Sequence, residues 1–267
     1  MDNVTYHRAK TLAEAERLLA AHPDAKLLAG GQTLLPIMKD RRLSPANVID
    51  IARIPELKGM RDEGDALVIG ANTLHADVLT DPVVRGRIPA LTDLVAVLGD
   101  PHVRHLGTLG GAVATNDPAG DYTAALVALD ATISTNRRDV EAEAFFVGPF
   151  QTVLGEGEIV TSVRFPVPRR AGYEKFRHPT SRYALAGVFV AELAGGTVRV
   201  AVTGAGPRVF RLPAMEAALK ANFSPDAVKQ AEVPASCLGS DIHADRDYRA
   251  HLIHVMAEKA IVKALAM

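Results

Sequence analysis

Two Gly-Gly pairs constrain this chain more than any other feature. Gly30-Gly31 ends the apolar run Leu27-Leu28-Ala29 and is followed by Gln32-Thr33-Leu34-Leu35-Pro36. Gly110-Gly111 stands in Gly107-Thr108-Leu109-Gly110-Gly111-Ala112-Val113-Ala114-Thr115-Asn116-Asp117-Pro118. Glycine has no Cβ, so a backbone rich in it can take positive φ and come within hydrogen-bond distance of a ligand. Consecutive amides in such a turn form an anion-binding concavity, and a helix start adds free donors and a favourable dipole. A Gly-Gly between apolar segments is also an ordinary tight turn. What sets these two apart is the polar side chains beyond each: Gln32 and Thr33 after the first, and Thr115, Asn116, Asp117 and Asp121 after the second. Such groups suit the hydroxyls and bases of a dinucleotide.

The periodicity divides the chain into three parts. The first reads β-α-β-α-β. Thr11 and Glu14 have capping-box spacing, Leu12, Ala15, Leu18 and Leu19 follow at helical intervals, and Pro23 ends the element. Residues 25–29 read as a strand, 33–40 as a short helix and 47–51 as a strand. The second part opens with a strand at 66–71. Helices follow at 73–79 and 88–99, an irregular segment at 100–118, a helix at 119–130, and strands at 131–135 and 158–165. Pro166 and Pro168 punctuate the next boundary. The third part alternates apolar and polar residues at 173–178, 184–194 and 197–203, with Gly195-Gly196 as a hairpin signal. It closes with helical patterns at 213–221, 224–231 and 245–265. The divisions expected are 1–54, 55–168 and 169–267.

With 267 residues the chain can bury a large core. A net charge of −1 carries no basic excess for nucleic acid. No run approaches the roughly 18 apolar residues of a membrane helix, and the N-terminus lacks a signal-peptide pattern, so a cytoplasmic location is expected. Cys237 is the single cysteine. One thiol makes neither an internal disulfide nor a cysteine-ligated iron–sulfur cluster, nor a Cys-rich zinc site; a small buried thiol is expected. The G-x-G-x-x-G fingerprint is absent, because Gly204-Ala205-Gly206 runs on into Pro207-Arg208. The P-loop and the nucleophile elbow are absent too. His102/His105 and His251/His254 have i, i+3 spacing without companions that would complete a metal site. Arg137-Arg138 and Arg169-Arg170 read as solvated turns.

The segment Ala29-Gly30-Gly31-Gln32-Thr33-Leu34-Leu35-Pro36-Ile37-Met38-Lys39 resembles the first FAD signature of the FAD-binding medium subunit of molybdenum hydroxylases, the aerobic carbon monoxide dehydrogenase and xanthine dehydrogenase family. Thr108-Leu109-Gly110-Gly111 resembles the second. Val48-Ile49-Asp50-Ile51, Leu67-Val68-Ile69-Gly70-Ala71-Asn72-Thr73 and Gly204-Ala205-Gly206-Pro207 extend the resemblance over nearly the whole chain. It implies an α+β fold: a two-subdomain FAD-binding unit of the vanillyl-alcohol oxidase type plus a C-terminal α+β domain.

The resemblance also implies a site. Ala29, Gly30, Gly31, Gln32, Thr33 and Leu34 form one wall around a non-covalent FAD. Thr108, Leu109, Gly110, Gly111 and Ala112 form the other, with backbone amides from both walls on the pyrophosphate. Thr115, Asp117 and Asp121 face the ribose or adenine side; for Asp121 a plain helix-start carboxylate is the alternative. Lys175 brings a cation toward the isoalloxazine, with a strand-surface lysine as its alternative. The family often has an acidic residue where this chain has Arg182. No catalytic acid, base or nucleophile and no metal ligand is expected here. The resemblance places the molybdenum cofactor in a large partner subunit and two [2Fe-2S] clusters in a small one, in a dimer of heterotrimers, with no nucleic acid and no integral membrane contact. The flavin collects electrons from the clusters and passes them to NAD⁺, O₂ or a quinone. The rivals are a stand-alone flavin oxidase or dehydrogenase, which needs a substrate cavity with an acid/base residue, and a flavin-binding module without turnover.

Overall fold

The structure is a computed structural model that describes residues 4–267. Its first unit runs β1 (Thr5–Arg8), α1 (Leu12–Ala21), β2 (Lys26–Leu28), α2 (Leu34–Lys39) and β3 (Asn47–Asp50). The three strands pair in parallel in the order β1-β3-β2, the arrangement that helical crossovers impose. Thr11 caps α1 by accepting from the Glu14 amide at 3.1 Å, and the Glu14 carboxylate reaches back to the Lys10 amide at 2.8 Å. The capping box is therefore present, with its return arm one residue further out than the standard motif.

The second unit contains β4 (Met60–Asp62), β5 (Ala66–Gly70), α3 (His75–Thr80), α4 (Pro82–Arg87), α5 (Pro89–Ala96), α6 (Pro101–Arg104), α7 (Leu109–Thr115), α8 (Asp121–Ala128), β6 (Thr132–Thr135), β7 (Asp139–Glu141), α9 (Ala142–Phe145), β8 (Phe146–Gly148), β9 (Gln151–Thr152) and β10 (Val160–Pro166). Its main sheet is antiparallel, in the order β4-β5-β10-β6-β7. The segment expected to be irregular, 100–118, instead holds two short helices. Asp100 accepts from the Val103 amide and Pro101 sits at the first helical position, which starts α6. Thr108 does the same for α7 through the Gly111 amide. Asp81 before Pro82 starts α4 in the same way, another helix the apolar period does not reveal.

The third unit is a meander of β11 (Pro168–Arg177), β12 (Ala184–Leu193), β13 (Val198–Thr203) and β14 (Phe210–Arg211), backed by α10 (Pro213–Ala221) and α11 (Arg246–Leu265). Helix α8 is buried at every position, as a helix enclosed on all sides must be. The core around it does not respect the boundary at 168. Leu67, Ile69, Leu91, Leu126 and Phe165 share one apolar cluster with Tyr173, Phe189, Ala191 and Ala201 from the third sheet. The architecture is α+β, as the sequence implies.

Candidate flavin site

The two glycine turns meet. Gly30 lies so close to Leu106 that a Cβ there would overlap its carbonyl oxygen and stand 2.8 Å from the Gly107 Cα. Gly107 in turn lies against His75, whose ring atoms would be 2.7 and 2.8 Å from a Cβ at 107. The His75 amide donates to the Gly107 carbonyl at 3.0 Å. The His75 ring stacks at a tilt on Tyr122 of α8, with centroids 5.4 Å apart. A column of contacts thus runs from the first turn through the second into the centre of the molecule. Both His75 Nδ1 and the Tyr122 hydroxyl are sealed in it with no partner among the described residues. Burial, with Arg104 nearby, lowers the His75 pKa to about 4, so the imidazole is neutral at physiological pH.

The first turn is open for binding. Gly31 takes φ +70°, the left-handed region that glycine enters freely. Thr33 begins α2 without a side-chain cap. Among the described residues, the consecutive amides of Gly30, Gly31, Gln32, Thr33 and Leu34 have no hydrogen-bond acceptor. Gln32 and Thr33 are exposed and the rest of Ala29–Leu34 is half-buried. A run of unpaired donors at a helix start is normally satisfied by water or by a ligand.

The second turn differs from the expectation of two equivalent amide walls. The Leu109 amide donates to Thr73 O at 3.1 Å, Gly110 to Ala71 O at 2.7 Å and Ala112 to Thr108 O at 3.1 Å. The Gly111 amide donates to Thr108 Oγ1 at 3.2 Å. These donors hold the turn to the segment that follows β5 and cap α7. Gly110 is helical, and its glycine is required by packing: a Cβ would be 2.5 Å from the Ala71 Cβ.

Beyond this turn, Thr115 and Asp117 are half-buried. Asp117 accepts from the Ala119 amide at 2.9 Å, and burial raises its pKa. Asp121 and Lys175 are brought together. Lys175 Nζ donates to Asp121 Oδ2 at 2.8 Å, and the Tyr173 hydroxyl donates to Oδ1. Asp121 is 6% and Lys175 5% exposed. Burial pushes the Asp121 carboxyl upward, opposed first by the Lys175 charge. Gly187 faces Lys175 across the sheet, and a Cβ there would come within 2.7 Å of the Tyr173 hydroxyl. The pair is thus a bolt between α8 and β11, engaged on all sides by protein.

Residues 2–168 match the family described as "FAD binding domain in molybdopterin dehydrogenase". The chain belongs to that family. It is 37% identical to the carbon monoxide dehydrogenase medium chain of Hydrogenophaga pseudoflava, over 98% of this chain and 96% of that one. It is 34% identical to the nicotine 6-hydroxylase medium subunit of Paenarthrobacter nicotinovorans, over 98% and 97%. The solved structure of reconstituted CO dehydrogenase from Oligotropha carboxidovorans superposes with a TM-score of 0.90 at 29% identity, covering 98% of each chain. The protein is therefore an FAD-binding medium subunit of the molybdenum hydroxylase type, part of an oxidoreductase.

The geometry fits that cofactor. A diphosphate needs several convergent donors, and the amides from Gly30 to Leu34 supply them beside a left-handed glycine. Several participants carry no signal in local spacing. His75 and Tyr173 have none. Asn116 had one: it ends α7 at φ 46°, ψ 53°, a conformation asparagine tolerates better than most residues. Its side-chain amide donates to Gly148 O and Gln151 O at 2.8 and 2.7 Å. No helix among the described residues is long and apolar enough to cross a membrane, and no group of three metal-ligating side chains occurs among them.

Proposed function

We propose that this subunit passes electrons from iron–sulfur clusters of a small partner subunit, through its FAD, to a terminal acceptor, while a large partner subunit oxidises the substrate at molybdenum. One observation carries the binding half of this reading: the uninterrupted run of unpaired amides at the first glycine turn, seated directly on the second. FAD, when bound, supplies a redox centre that the chain's own side chains lack. The amides of Gly30, Gly31, Gln32, Thr33 and Leu34 hold the diphosphate, and Ala29 sets their entry angle. Thr108, Leu109, Gly110, Gly111 and Ala112 form the opposite wall, chiefly as a rigid support for Gly30. Thr115 and Asp117 serve the nucleoside side. Asp121 and Lys175 act as a pair: nearly neutral together, they fix β11 against α8 and so set the third unit on the flavin unit.

The proposed divisions are 1–54, 55–168 and 169–267; three larger sheets with strands over 5–50, 60–166 and 168–211 support them, with β11 beginning one residue before the last boundary. The chain works in the cytoplasm, in a dimer of heterotrimers. The sole cysteine, Cys237, supports the need for a partner, because a cluster cannot be ligated here. The test is to co-express the chain with candidate small and large subunits and measure FAD per chain and donor-dependent flavin bleaching. The complex should bleach with its donor and the isolated chain should not. Bleaching of the isolated chain by a donor would overturn the reading, since electrons would then enter without a cluster.

A further inference from the structure

The loop 178–183 joins β11 to β12, and its hydrogen bonds converge on His178. The His178 amide donates to the Tyr183 carbonyl at 2.8 Å, and the Arg182 amide donates to the His178 carbonyl at 2.9 Å. His178 Nδ1 accepts from the Thr180 and Ser181 amides at 3.2 and 3.1 Å. The shape these bonds impose is not a relaxed one. Arg182 is held at φ 63°, a left-handed backbone that costs a non-glycine residue energy and persists only where its surroundings enforce it.

What the loop presents is Tyr183. Its ring is 53% exposed and walls a cleft that continues from Asp117, Pro118 and Ala119 at the end of the second glycine turn. A large side chain left in water at such a place needs a reason. The cleft is continuous with the flavin site proposed above, so the loop acts to place an aromatic face there.

The protons of the loop can be assigned. Two N–H groups point at His178 Nδ1, so that nitrogen is bare and the ring proton is on Nε2. Nε2 lies 3.2 Å from His243 Nδ1, with the rings edge-on and their centroids 4.4 Å apart. Nε2 therefore donates and His243 Nδ1 accepts. A second proton on either ring breaks this relay. On His178 it sets an N–H against the two loop amides; on His243 it sets an N–H against an N–H. His178 is half-buried and His243 exposed, so water reaches the pair. The charged groups facing it from the cleft walls are Asp117, Asp241 and Arg249, and Arg177 and Arg182 adjoin it along the chain. Asp241 is engaged by Arg249 at 2.6 Å and by the His243 and Ala244 amides at 2.9 and 3.0 Å, which leaves it a weak counter-ion for an imidazolium.

We propose that His178 and His243 are positioning residues that set Tyr183 at the flavin cleft only while both imidazoles are neutral, a role that rests on the flavin-subunit reading above. The loop is closed at mildly alkaline pH. It opens as the pH falls through the range in which imidazoles gain charge, roughly pH 8 to 5, because Nδ1 then ceases to accept.

The test uses the full chain, FAD-loaded as purified, with His178→Asn, His178→Ala and His243→Ala variants. An asparagine side chain accepts from the amides two and three residues on and takes up no proton. His178→Asn should therefore keep the loop and remove its response to acid. Imidazole nitrogen shifts at about pH 8 should report a bare Nδ1 and a protonated Nε2 for His178. Protection of the Thr180 and Ser181 amides from hydrogen exchange, corrected for the intrinsic rate, should fall about tenfold between the two ends of that range in wild type. It should stay constant in His178→Asn and be low throughout in His178→Ala, with His243→Ala between. Flavin fluorescence, quenched by a tyrosine ring in contact, should rise with acid in wild type and stay flat in His178→Asn. A proton on Nδ1 at the alkaline end, equal acid responses in wild type and His178→Asn, or a His243→Ala variant identical to wild type would overturn the proposal. So would amides that respond while flavin fluorescence does not, since Tyr183 would then be placed away from the flavin. A wild-type chain that takes up no FAD would instead bring down the flavin-subunit reading, and the role at the cleft with it.

Discussion

In the first glycine turn the amides from Gly30 to Leu34 have no acceptor among the described residues, and Gly31 is left-handed. In the second, the amides from Leu109 to Ala112 are all taken by Thr73, Ala71 and Thr108, and Gly110 is an ordinary helical residue with no room for a Cβ. The two look alike on paper. The second is glycine-rich because protein packs against it; the first, on the function proposed above, is glycine-rich so that a ligand can approach. A motif read as a pair of binding loops is, physically, a loop and its anvil.

That contrast can be broken at several points. The largest effect is expected at the far end of the second turn's column. Lys175→Met leaves Asp121 buried and without its cation, which costs about 3–5 kcal/mol. Urea unfolding at pH 7 measures it, and a loss below about 1 kcal/mol would mean the pair is not part of the support.

Acid comes next. The His75 pKa in the fold, about 4, is below its unfolded value of about 6.5. Its stabilising contribution is complete above pH 6.5 and is lost as pH falls toward 4. The difference amounts to roughly 3 kcal/mol at about 1.36 kcal/mol per pH unit. His75→Asn should flatten the dependence of unfolding free energy on pH in that window. An unaltered slope would take His75 out of the account.

Gly110→Ala presses a methyl on Ala71 and should cost about 1–3 kcal/mol of fold stability, with FAD affinity falling only as the turn shifts. Gly31→Ala should do the reverse. Its left-handed φ costs about 1–2 kcal/mol, and its methyl would meet the flexible ends of Leu35 and Leu28, but flavin titration should show the larger loss. If the two variants have the same ratio of stability loss to affinity loss, the distinction between the turns fails.

What the sequence made legible follows the same division. The β-α-β-α-β opening could be read because the cap at Thr11, the apolar period of α1 and the stop at Pro23 are all local. The first turn could be read as a turn because its glycines, the apolar run before it and the polar residues after it are local as well. The segment 100–118 could not: α6 and α7 are too short for a helical period, and only Asp100-Pro101 and Thr108 mark their starts. β4, Met60–Asp62, is a short and largely polar edge strand, so alternation gives no signal. The bolt could not be read either. Asp121 lies 52 and 54 positions from Tyr173 and Lys175, so no spacing joins them. Each residue was singled out or passed over alone, and their mutual engagement is a property of packing.

The apolar cluster that runs from Leu67 to Val209 without pausing at residue 168 has a further consequence. The family boundary at that residue marks a unit of inheritance, and a unit of inheritance need not be a unit of folding. Cutting the chain there would strip Tyr173, Phe189 and Ala201 from one side of α8 and leave a helix that is buried at every position facing water. The second and third units share one core, so a lesion in the meander is expected to lower the stability of the second glycine turn as well as its own.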